Sequence, residues 1–83
     1  MKPISFRRYV AVLQALGLVL VRTRGSHQVW DFPPGSGRAL LRPIIIRDKD
    51  KEIPVIHVQS NLLTLRLSIG LTKEAFEALL RDA

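Results

Sequence analysis

Residues 18–32 read LVLVRTRGSHQVWDF, two runs rich in β-branched and aromatic residues that meet at Gly25-Ser26. Glycine at the first central position of a two-residue connection marks a type II′ hairpin turn, because it enters the positive-φ region there without strain. The turn imposes a register. Arg24 faces His27, Thr23 faces Gln28, Arg22 faces Val29, Val21 faces Trp30 and Val19 faces Phe32. Alternation then sorts the side chains onto two faces. Val19, Val21, Trp30 and Phe32 are expected to face the core. Arg22, Arg24, His27 and Asp31 are expected on the wetter face, with Leu18, Leu20 and Val29 among them.

Before the hairpin, Phe6, Tyr9, Val10, Leu13 and Leu16 recur at the spacing of one helix face, with Ser5 placed to cap the start and Gly17 to end it. After it, residues 33–37 (PPGSG) break the chain, and a third strand is expected over residues 39–46. Pro43 confines that strand to an edge or a bulge. RDKDKE, residues 47–52, reads as a solvated charged loop, and IPVIHVQ, residues 53–59, as a short strand or an extended linker. A second helix is expected from Ser60 or Asn61 through Ile69, stopped by Gly70. Thr72 then caps a last helix with an apolar stripe of Ala75, Phe76, Leu79 and Leu80. The fold class is α+β. One domain over residues 1–83 has the order α-β-β-β-α, a three-stranded antiparallel sheet packed by helices on one face, and residues 72–82 as a C-terminal helical extension.

Composition narrows the function. The 83 residues are 47 % apolar and contain no cysteine, which leaves no disulfide, thiolate ligand or cysteine nucleophile. No run reaches the ~18 apolar residues of a membrane span, and MKPISFRRYV lacks the apolar core of a signal peptide. A cytoplasmic protein with no membrane partner is therefore expected. The net charge of +6 is lopsided: residues 1–47 hold eight Lys/Arg against Asp31 alone, whereas residues 48–83 hold five against six acids. A cationic N-terminal half is the footprint of a polyanion binder.

His27 stands at the hairpin tip beside Arg22 and Arg24. Histidine is the side chain that ordinarily changes charge near neutral pH, and arginines are suited to hold phosphate. Gly25 lets a nucleic-acid backbone approach without a side chain in the way. The set suits phosphodiester chemistry on RNA, with His27 as the catalytic proton carrier and Arg22, Arg24, Gly25 and Ser26 around the phosphate. No cofactor is implied. His27 and a distant His57 do not make a metal-ligand set, no glycine-rich phosphate loop precedes a helix, and no serine sits in a recognisable triad. His57 falls in the connector and is expected to play no part.

The pattern of an amphipathic helix ending in Gly17, the R-x-x-G-S-H run from Arg22 to His27, a Gly-rich turn and a strand closing on Pro43 resembles the HicA (YcfA-like) toxins. SIGLTKEAFEALL, residues 68–80, is similar to the C-terminal part of longer members. The resemblance implies a double-stranded-RNA-binding-like fold, an mRNA-cleaving endoribonuclease of a toxin–antitoxin system with His27 as its catalytic histidine, and a HicB-type antitoxin as partner. This chain departs from the pattern at Ile44, Ile45 and Ile46, and in a longer segment over residues 47–59. Two other readings keep the same scaffold: a non-catalytic RNA-binding module, and a protein-interaction domain whose basic face docks an acidic partner.

Overall fold

Ser5 does two jobs at the start of the chain. Its Oγ accepts a hydrogen bond from the Arg8 backbone N–H at 3.3 Å, capping helix α1 (Phe6–Ala15), while Ile4–Ser5 forms a short strand, β1. The structure, a computed structural model, describes residues 2–83. Helix α1 ends in a Schellman motif: Gly17 takes φ +89°, its N–H reaches the Gln14 carbonyl, and the Leu18 N–H reaches the Leu13 carbonyl. That motif turns Leu18 into the core, where it is almost completely buried.

Strands β2 (Val19–Arg24), β3 (His27–Asp31) and β4 (Ile44–Arg47) form one antiparallel sheet in the order β2-β3-β4. Gly25 has φ +59° and Ser26 does not have a positive φ, which fits the type II′ turn. The three pairs nearest the turn hold the expected register: Arg24 with His27, Thr23 with Gln28, Arg22 with Val29. Further from it the register changes. Leu20 pairs with Trp30 and Val19 with Asp31, so Val21 is an extra residue, a β-bulge.

The bulge corrects part of the expected core. Trp30 and Phe32 are both only 5 % exposed, as the hairpin requires, but Val19 and Val21 are 38 % and 40 % exposed. An extra residue flips the alternation beyond it, and β2 is an edge strand exposed along its whole length. Leu18 supplies the burial instead. Val29, expected on the wetter face, does lie there between Arg22 and Ile45, yet is buried because β3 is the central strand.

The third strand starts at Ile44, directly after Pro43, and lies at the other edge. The coil before it is held by Asp31, whose Oδ1 accepts from the Phe32 and Leu40 backbone N–H groups at 2.7 and 2.9 Å. Residues 47–52 are not a free loop. The Asp48 N–H donates to the Ser26 carbonyl at 2.8 Å, and the Lys51 carbonyl accepts from the Phe6 N–H at 2.9 Å. Glu52–Ile53 then forms β5, antiparallel to β1, with Ile4 and Ile53 paired and buried.

Helix α2 spans Val55–Ile69 with Pro54 at its N-cap, and so begins about five residues earlier than the propensity of VIHV suggests. Burial of Ile53 and Val58 outweighs the weak helix preference of β-branched residues. Gly70 ends α2 at φ +70°. Helix α3 (Lys73–Asp82) is capped by Thr72, whose Oγ1 accepts from the Ala75 N–H at 3.1 Å. It packs on α1 through Tyr9 and Phe76, whose ring centroids are 6.3 Å apart, and through an Arg8 hydrogen bond to the Leu80 carbonyl. Ala75, expected in the stripe, is exposed. The core joins Tyr9, Val12 and Leu13 of α1, Val58 and Leu65 of α2 and Phe76 of α3 to Trp30, Ile44 and Ile46 on one face of the sheet. Among the described residues no helix is long and apolar enough to cross a membrane.

Candidate functional site

On the other face of the sheet, the ladder places His27 between two arginines. Arg24 pairs with it from β2 and Arg47 from β4. Directly opposed residues on one sheet face stand with Cβ atoms about 5 Å apart, so three cationic or cationisable groups form a row across the hairpin tip. Arg22 follows on the same face, opposite Val29. Asp31 is also on this face, but its Oδ1 is taken by two backbone N–H groups. Among the described residues the ion pair within 4 Å is Lys73 with Glu77, on α3. The arginines around His27 are thus without a carboxylate partner, and they are exposed.

Gly25 and Ser26 shape the tip in different ways. A Cβ built on Gly25 meets nothing within 4 Å, so its need for glycine comes from its positive φ alone. Ser26 is half-buried, and its carbonyl holds the Asp48 N–H, which fastens the tip to the chain leaving β4.

Beside the row lies a cleft of about 310 Å³. His27 and Arg47 line it from the sheet, and Ile45, Ile46, Ile53 and Pro54 give it an apolar floor. Its remaining walls are Asp50 and His57. The structure therefore brings together two histidines that lie thirty positions apart in the chain. Residues 53–59 are not a short strand or extended linker throughout, and His57 sits in the first turn of α2. Arg47 reads as the first residue of a charged loop but is the last residue of β4. Register was the available signal, since Arg47 falls opposite His27 once Ile44 pairs with Trp30.

The cleft combines two imidazoles, one guanidinium, one carboxylate and an apolar floor. A second cleft of about 320 Å³ lies beside α2 and is lined by Gln59, Leu62, Leu63, Arg66 and Lys73. It contains no histidine or carboxylate and offers no comparable proton chemistry. Among the described residues no three His, Cys, Asp or Glu side chains are grouped to hold a metal ion. Comparison with protein-family models, curated proteins and solved structures finds no match to the chain.

Proposed function

We propose that the protein is a cytoplasmic endoribonuclease that cleaves RNA without a metal, using His27 to move a proton at a phosphodiester. The observation that carries this reading is the row Arg24–His27–Arg47, unpaired with any carboxylate and open on one side to a cleft. In this reading Arg22 and Arg24 hold the RNA phosphates along the sheet face, and the Gly25-Ser26 turn brings the backbone close to the tip. Arginine at the scissile phosphate stabilises the charge that develops on its oxygens. The R-x-x-G-S-H run from Arg22 to His27 supports an mRNA-cleaving toxin of the HicA kind. The partner is then a HicB-type antitoxin that covers the same cationic face with acidic side chains, through contacts that weaken with salt.

The test is cleavage of single-stranded RNA by the purified protein in EDTA, compared with His27→Ala. Loss of a proton-transfer group costs about 10²–10⁴ in rate. His27→Ala should therefore lose cleavage by that factor, keep its RNA affinity, and relieve any growth arrest caused by the wild type. RNA bound but left intact by the wild type would instead favour the non-catalytic RNA-binding module.

A further inference from the structure

His57 reaches the cleft from an element that the rest of the row does not use. Its backbone is fixed on both sides: Ile53 is buried in the β1–β5 ladder, Val58 is fully buried in the core, and the His57 N–H donates to the Pro54 carbonyl at 3.0 Å. A histidine held this way, exposed and lining the same cleft as His27, is not a linker residue.

We infer that His57 is the second acid–base group of the cleft, acting with His27 on a ribonucleotide substrate. The inference rests on the ribonuclease reading above. Cleavage through the ribose 2′-hydroxyl needs two proton movements. One imidazole takes the 2′-hydroxyl proton as that oxygen bonds to phosphorus. The P–O5′ bond breaks, and the leaving 5′ oxygen takes a proton from the other imidazole, which begins the cycle protonated. The products are a 2′,3′-cyclic phosphate and a free 5′-hydroxyl, so atoms and charges balance with no water, metal or redox partner. A single imidazole has to serve both oxygens in turn. Two imidazoles, one from the sheet and one from α2, can serve them in a single step. Arg47, which pairs with His27 across the ladder and lines the same cleft, can carry the phosphoryl oxygens. DNA lacks the 2′-hydroxyl and is not a substrate.

The charged groups that face the two rings are Arg24 on β2, Arg47 on β4 and Asp50 in the segment after it. Wild type should give a bell-shaped pH–rate profile, with His27→Ala losing one limb and His57→Ala the other. His57→Ala and His57→Asn should lower kcat by about 10²–10⁴-fold with RNA affinity retained. A substrate with sulfur in place of the 5′ leaving oxygen, which departs without a proton, should restore the variant that lacks the acid and not the other.

Wild-type cleavage by His57→Ala would overturn the role of His57 while leaving the ribonuclease reading in place. So would loss of the same limb in both variants, which would make His57 a positioning residue. A wild type that cleaves no RNA would instead remove the ribonuclease reading itself, and this inference with it.

Discussion

Tyr9 is fully buried, and its hydroxyl and the Asn61 amide nitrogen are both buried without a hydrogen-bond partner. Burial pushes the phenol up from 10.0 to about 12, with Asn61 close enough to offset part of the effect. A raised folded-state value means that the protonated form is favoured by folding. Its contribution is complete below pH 10 and is lost as pH rises from there through 12, by about 1.4 kcal/mol for each pH unit in that window. Tyr9→Phe should leave neutral-pH stability unchanged or slightly higher, since it removes an unpaired polar group, and should flatten that alkaline loss. Urea unfolding at neutral and alkaline pH checks this. Because Tyr9 is the one tyrosine in the chain, phenolate absorbance reports it directly.

The hairpin and the coil that follows depend on a few backbone constraints. Asp31 ends β3 and pins residues 32–40 through two accepted N–H bonds. Asp31→Ala should cost about 1.5–3 kcal/mol, and Asp31→Asn less because an acceptor oxygen remains. Comparison of the urea midpoints tests this, and equal losses would show that charge rather than the hydrogen bonds matters. At the tip, Gly25→Ala forces a Cβ into a left-handed conformation and should cost about 1–2 kcal/mol. Since no neighbour crowds that position, the loss comes from the backbone conformation and not from a clash.

Charge acts on the whole molecule. The net +6 arises in the N-terminal half, and among the described residues Arg22, Arg24 and Arg47 on the sheet face form no ion pair with a carboxylate. Each phosphate contact to single-stranded nucleic acid contributes about −0.7 to the slope of log affinity against log salt. Replacing all three arginines with glutamine should make the slope for RNA shallower by about 2. Fluorescence anisotropy at a series of salt concentrations measures it. An unchanged slope would place the RNA track on another surface.

Features governed by a few neighbouring residues were legible in the sequence. Ser5 and Thr72 as caps, Gly17 and Gly70 as stops, the turn at Gly25-Ser26 and the three pairs nearest it all follow from local backbone chemistry. His27 on the cationic face follows from the same register. What depends on distant partners was not legible. The bulge at Val21 lets Leu18, held by the Schellman motif of α1, enter the core while the hairpin keeps its turn, a compromise between two elements that neither one reveals. The early start of α2 depends on Ile53 pairing with Ile4 and on Val58 reaching the core, contacts made across some fifty residues. His57 joins His27 in one cleft for that reason. Local preference set the turn and the caps, and burial in the tertiary structure decided which histidine stands beside His27.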